Sequence, residues 1–259
     1  MLAEKDFAGR QSRGMRPSQE DSYAFSEIID PAGRAIGLLV VVADGMGGHT
    51  AGEQASELAV KNCTAAFHQD NGEILHRLGR GLTAANASIA AEMEHNLALD
   101  GMGTTLLAAA MTDAGLEWVS VGDSPLYLWR DRHLNRLNED HSLRPILRQL
   151  AQQGEVDAAE TARSKSVLRA ALTGYEISLI DRSRQAMALR PGDMIILATD
   201  GIHSLTDEAI NDICAGTATL NTSDAAAKFI DAIRDADHPK QDNITIAIVK
   251  IGASGAAVW

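Results

Sequence analysis

The run Leu38-Leu39-Val40-Val41-Val42-Ala43-Asp44-Gly45-Met46-Gly47-Gly48-His49 decides how the rest of the chain is read. An unbroken apolar stretch ends in a carboxylate and then in a glycine-rich turn. With no polar position alternating through it, this strand needs cover on both faces. A second apolar run, Met194 to Thr199, ends the same way in Asp200-Gly201. A third carboxylate, Asp242, stands just before the apolar run Ile244 to Ile251. Acidic side chains at the tips of buried strands are costly unless positive charge lies among them. A metal site would remove that cost.

Working outward, residues 22–43 read as a hairpin, with Tyr23, Phe25 and Ile28 on the first strand and a turn at Pro31-Ala32-Gly33. After Gly48, the residues Ala51, Ala55, Leu58, Ala59, Cys63 and Ala66 recur at helical spacing. Leu75, Leu78, Leu82, Ala85, Ile89 and Met93 mark a second amphipathic helix. Strands are then expected at 104–112, 116–121, 126–130 and 133–137, an antiparallel meander with tight turns. The turn Gly122-Asp123-Ser124-Pro125 places another carboxylate at strand ends. A surface flap is expected over about 141–174, with a helix at 142–153, and strands resume at 177–180 and 186–189. Helices near 207–215 and 223–236 have Thr206 and Ser223 as expected N-caps. A short tail, 253–259, is expected to fray.

Meanders with two pairs of amphipathic helices do not suit a doubly wound parallel sheet. They suit an α+β fold: two antiparallel sheets packed face to face, with helices on both outer faces. The expected architecture is a four-layer αββα sandwich, with 1–259 forming a single domain.

Composition narrows the function. The net charge of −12 argues against nucleic acid as a partner. No stretch approaches the roughly 18 apolar residues of a membrane span, and the N-terminus lacks a signal-peptide core. The two cysteines, Cys63 and Cys214, form no CxxC pair, which fits a reducing compartment and a cytoplasmic location. Carboxylate and carbonyl oxygens without a Cys or His triad select Mg²⁺ or Mn²⁺ over zinc. The glycine run fits neither GxGxxG nor GxxxxGK[ST], so nucleotide binding is disfavoured.

Seven blocks carry a family resemblance: Arg16-Pro-Ser-Gln-Glu20-Asp21, Val42-Ala-Asp44-Gly45-Met-Gly-Gly-His49, Gly101-Met-Gly-Thr-Thr105, Val121-Gly-Asp123-Ser124, Asp140-His141-Ser142-Leu143, Ala198-Thr-Asp200-Gly201 and Asp242-Asn243. In this order they resemble the metal-dependent PP2C (PPM) protein Ser/Thr phosphatases, in their compact bacterial form. The resemblance implies a dinuclear Mn²⁺/Mg²⁺ site at one end of the sandwich. Asp44 would bridge both ions, the Gly45 carbonyl would bind one, and Asp200 and Asp242 would hold the other. Glu20 and Asp21 would act through metal-bound waters. Asp123, with Asp200, matches a third, weaker site. Arg16 would hold phosphate oxygens, as its guanidinium fork suits. Hydroxide bridging the metals would attack phosphoserine or phosphothreonine in line, without a phosphoenzyme. The implied partners are phosphorylated Ser/Thr proteins, among them a bacterial Ser/Thr kinase or its substrates.

The chain departs from the pattern at several points. Met46 follows Asp-Gly where many members have a histidine that protonates the leaving group. His49, three residues on, is the remaining candidate for that acid. Gln19 replaces the usual Asn, Pro125 a frequent Arg, and residues 166–172 match the flap only loosely. Two alternatives share the scaffold: a catalytically silent phosphoprotein-binding relative, and a hydrolase of small phosphoesters.

Overall fold

The computed structural model describes residues 1–48, 50–156 and 167–252. Among the described residues, eleven strands form two sheets: β1 (Phe7–Ser12), β2 (Asp21–Ile29), β3 (Ala35–Met46), β4 (Gly103–Thr104), β5 (Leu106–Thr112), β6 (Gly115–Val121), β7 (Leu126–Arg130), β8 (His133–Arg136), β9 (Asp181–Arg182), β10 (Met194–Ala198) and β11 (Ile244–Lys250). One sheet runs β1-β11-β10-β7-β8 and the other β2-β3-β5-β6-β9, with β4 paired to the end of β3. Every ladder is antiparallel. Helices α1 (Thr50–His68) and α2 (Ile74–His95) cover the second sheet. Helices α4 (Asp207–Thr217) and α5 (Thr222–Asp235) cover the first. A shorter α3 (Arg144–Gln153) belongs to the expected flap.

The side-chain period of two explains the unbroken apolar run of β3. Leu39, Val41 and Ala43 face α1 and α2. Leu38, Val40 and Val42 face the other sheet, against Leu126, Leu128, Ile195, Leu197, Ala247 and Val249. In β11, Ile244, Ile246 and Ile248 turn outward to α4 and α5. Three apolar layers therefore stack in the order helix–sheet, sheet–sheet, sheet–helix. Cys63 and Cys214 are buried in the two outer layers, where loss of hydration pushes each thiol up to about 12.

Some local expectations change. Strand β3 does not stop at the carboxylate but continues through Asp44 and Gly45 to Met46, because β2 and β4 supply partners there. Residues 177–180 form no strand: Ile177 and Leu179 pack against the α1–α2 layer, so their alternation seats a coil rather than a ladder. Residues 186–189 contribute only the bridge from Met187 to Leu116. Thr206 caps α4 as expected, but Asn221, not Ser223, caps α5, its side chain accepting from the Asp224 amide at 2.7 Å. Ser223 Oγ accepts instead from Arg10. The flap residues 157–166 and the tail 253–259 lie outside the described residues. Leu143 N donates to Val167 O and Arg169 N to His141 O, so the two described ends of the flap are joined by backbone hydrogen bonds.

Candidate metal and phosphate site

The parity that sorts the core also aims the acids. Asp44 continues the set Leu38, Val40 and Val42, so its side chain enters the space between the sheets at one end of the sandwich. Asp21 is the ladder partner of Asp44 and shares that inner face with Tyr23 and Phe25. From the opposite sheet, β10 ends at Ala198, and Asp200 opens a 3₁₀ turn (Asp200–Ser204). Asp242 precedes β11, which pairs with β10. Strand ends from both sheets thus converge on a cavity of about 410 Å³, lined by Arg16, Glu20, Asp44, Gly45, Asp123, Asp200 and Asp242 among others.

Backbone and hydroxyl groups hold the acids in place. The Asp44 amide donates to Thr105 Oγ1 at 3.0 Å, and the Asp44 carbonyl accepts from Thr105 N and Thr104 Oγ1, each at 2.9 Å. Gly45 N donates to Glu20 O at 3.1 Å. A Cβ on Gly45 would collide with the carbonyl oxygens of Gly52 and Glu20, so the strand must be bare where α1 begins. Asn243 ties the loops together: its Oδ1 accepts from Glu20 N at 2.8 Å, and its Nδ2 donates to Arg13 O and Ser18 O at 2.9 Å each. Ser18 Oγ donates to the Glu20 carboxylate at 3.0 Å.

The cluster is short of positive charge. Burial, then Asp200, Asp21, Asp123 and Asp242, hold Asp44 well above the ordinary carboxylate range. Burial also raises Asp200, with Asp242 next, although Asp44 hydrogen-bonds to it. Burial pushes Asp21 and Asp123 up to about 7 each. Two carboxyl groups in hydrogen-bonding contact need a shared proton or a cation between them. These oxygens and the Gly45 carbonyl are hard donors that fit a divalent cation.

Two arginines answer part of the deficit. Arg16 Nη2 lies 2.5 Å from Asp242 Oδ2 at the solvent side, where the two side chains are 55% and 36% exposed. Arg144 Nη2 approaches Asp123 Oδ2 at 3.7 Å from the protein side.

The structure brings Arg16, Glu20, Asp44, Gly45, Asp123, Asp200 and Asp242 to one cavity, with Met46 on its wall. Asp21 is buried beneath it: its Oδ2 accepts from Thr199 Oγ1 at 2.8 Å and Thr245 Oγ1 at 2.9 Å, while Oδ1 has no protein hydrogen-bond partner among the described residues. His49 lies outside the described residues. Sequence reasoning did not assign roles to Thr105, Thr199, Thr245 or Arg144. Thr105 and Thr199 fall within the matching blocks, but nothing local names the partners of any of the three threonines, which lie far along the chain. Arg144 does carry one: it is a cation in the first turn of a helix, where the helix field disfavours it.

Comparison with known proteins agrees with this geometry. Residues 17–243 match the model of the protein phosphatase 2C family. The chain belongs to that family. The protein phosphatase 2C relatives include the serine/threonine phosphatase stp of Listeria monocytogenes, 34% identical over 221 residues, covering 82% of this chain and 84% of that protein. The serine/threonine protein phosphatase PstP of Mycobacterium tuberculosis is 32% identical over 254 residues, covering 95% of this chain and 45% of that protein. The chain therefore spans less than half the length of that relative. A crystal structure of the PstP catalytic domain in complex with two manganese ions superposes with a TM-score of 0.74, at 31% identity, over 95% of this chain and 97% of that one. Among the described residues, no helix is long and apolar enough to cross a membrane.

Proposed function

We propose that this protein phosphatase 2C chain is a cytoplasmic, divalent-metal-dependent phosphatase that hydrolyses phosphoserine and phosphothreonine in proteins, acting as one domain. The observation that carries the reading is the meeting of Asp44, Asp200 and Asp242, from both sheets, beneath an exposed arginine. Asp44, Asp200, Asp242 and the Gly45 carbonyl would hold two Mn²⁺ or Mg²⁺ ions, with Glu20 ordering the solvent around them. When bound, such ions act as Lewis acids toward the phosphoryl group and lower the pKa of water.

The chain's own residues do the rest. Arg16 offers its fork to phosphate oxygens from the open side and can exchange Asp242 for them. Asp21 and its threonine donors brace the floor under Asp44. Gly47 and Gly48 put no side chain on the cavity wall, which leaves room for a phosphorylated side chain to reach the floor. Met46 has no proton to give, so the leaving group takes its proton from solvent or from His49. The proposed substrates are phosphorylated Ser/Thr proteins, with a bacterial Ser/Thr kinase or its targets among them.

The test is hydrolysis of a phosphothreonine peptide and of a small aryl phosphate, with Mn²⁺ or EDTA, by wild type and Asp200→Asn. The expected result is Mn²⁺-dependent release of phosphate from the peptide, lost in Asp200→Asn. Activity on the aryl ester alone would make the chain a small-phosphoester hydrolase. No activity, with Mn²⁺ still bound, would make it a binding relative.

A further inference from the structure

Asp123 has a cation already. Its side chain is 4% exposed, and Arg144, itself 10% exposed, sets Nη2 3.7 Å from Asp123 Oδ2 and Nη1 3.8 Å from Asp140 Oδ2. Asp140 has other partners: Arg136 Nη1 at 3.0 Å, and the amide and hydroxyl of Ser142. The Asp123 carboxylate has, among the described residues, no other ion pair within 4 Å. Arg144 thus serves both carboxylates, but Asp140 has nearer partners of its own and the Asp123 carboxylate does not.

The position is not explained by the helix that carries it. Arg144 is the first residue of α3, where backbone N–H groups favour anions. Leu143, which precedes it, provides no side-chain cap. A guanidinium buried at such a place is held by the carboxylates it faces. At 3.7 and 3.8 Å both approaches are beyond hydrogen-bond reach, and Nη1 has no hydrogen-bond partner among the described residues, so the contact is one of charge rather than of matched donors and acceptors. Arg136 reinforces the arrangement by donating to the Asp123 carbonyl at 2.9 Å.

We propose that Arg144 is the resident cation of Asp123, neutralising that carboxylate in place of a third divalent ion and seating the first turn of α3 on the cavity floor. A guanidinium and a metal ion on one carboxylate repel each other. The chain then takes two ions, and its acidic turn is tied to the flap through Arg144. The ion count rests on the two-metal reading above; the pairing of Arg144 with Asp123 does not.

The experiment is a Mn²⁺ titration followed by electron paramagnetic resonance of the free ion, together with thermal denaturation in EDTA. The chains compared are wild type, Arg144→Gln, Arg144→Lys, Asp123→Asn and the double variant Arg144→Gln/Asp123→Asn. Wild type, Arg144→Lys and Asp123→Asn should bind two Mn²⁺ per chain. Arg144→Gln should gain a third, weaker ion that the double variant loses. In EDTA, the melting-point losses of Arg144→Gln and Asp123→Asn should be non-additive, the double variant melting above their sum. A third ion on wild type that Asp123→Asn removes would overturn the proposal, as would a folded Arg144→Gln that binds two. Additive melting losses would also overturn it. If Arg144→Gln does not fold, the count for Asp123→Asn decides. If wild type binds no Mn²⁺, the two-metal reading fails and the ion count with it, while the melts in EDTA still decide the pairing.

Discussion

Two arginine–aspartate pairs border the same cavity and differ in every respect that sets their energy. Arg16 and Asp242 touch at 2.5 Å but are open to water. Arg144 and Asp123 stand 3.7 Å apart and are almost wholly enclosed. The shorter contact is the weaker tie, because water screens it and can replace either partner. The longer contact is the firmer one, because each charge, once buried, has few alternatives. An arginine that must release a carboxylate to grip a phosphate belongs at the mouth. One that must fix an acidic turn belongs behind it.

The comparison breaks most readily at Arg144. Arg144→Gln leaves Asp123 and Asp140 with less positive charge, and losing one partner of a buried pair costs about 3–5 kcal/mol. For a chain of this size that is a fall of roughly 10 °C in melting temperature, measured by calorimetry in EDTA. Arg16→Gln should leave the EDTA melt within about 1 kcal/mol of wild type. It should lower kcat/KM on a phosphothreonine peptide on the order of 10- to 100-fold, the worth of a charge-assisted hydrogen bond to phosphate. A large stability loss in Arg16→Gln, or none in Arg144→Gln, would erase the distinction.

His203 sharpens the comparison with a smaller effect. It lies three residues past Asp200, and its Nε2 has no hydrogen-bond partner among the described residues. Burial, then Arg144 and Arg136, push it down to about 3, with Asp140 opposing and Arg148 adding to the shift. The folded chain thus binds fewer protons at this site than the unfolded one between about pH 6.5 and pH 3. Stability from this group is lost as pH falls through that window, by up to about 1.4 kcal/mol per pH unit. Urea melts from pH 6.5 to pH 4.5 should show wild type losing more than His203→Asn, and the difference should shrink in the Arg144→Gln background.

Much of the site was legible because carboxylates at apolar strand ends are costly wherever they occur. Asp44 and Asp200 announced themselves by following, and Asp242 by preceding, runs that had to be buried. The helices were legible from their stripes. What was hidden depended on pairing between distant segments. The ladder that sets Asp21 opposite Asp44 puts Asp21 beneath the cavity and under Thr199 and Thr245 of the other sheet, which local pattern does not encode. Residues 177–180 misled because alternation records burial of one face and is silent about hydrogen-bonding partners. Asn221 and Ser223 are both good caps, and their immediate context does not choose between them.

The division of β3 between two apolar layers acts as a parity check on the whole centre. Odd positions serve one layer and even positions the other, and Asp44 inherits its direction from the even set. Gain or loss of a single residue between Leu38 and Ala43 would exchange both sets and turn Asp44 toward α1. Variation along this strand can therefore change side-chain size, but it cannot change length by one without moving the carboxylate to the wrong side of the sheet.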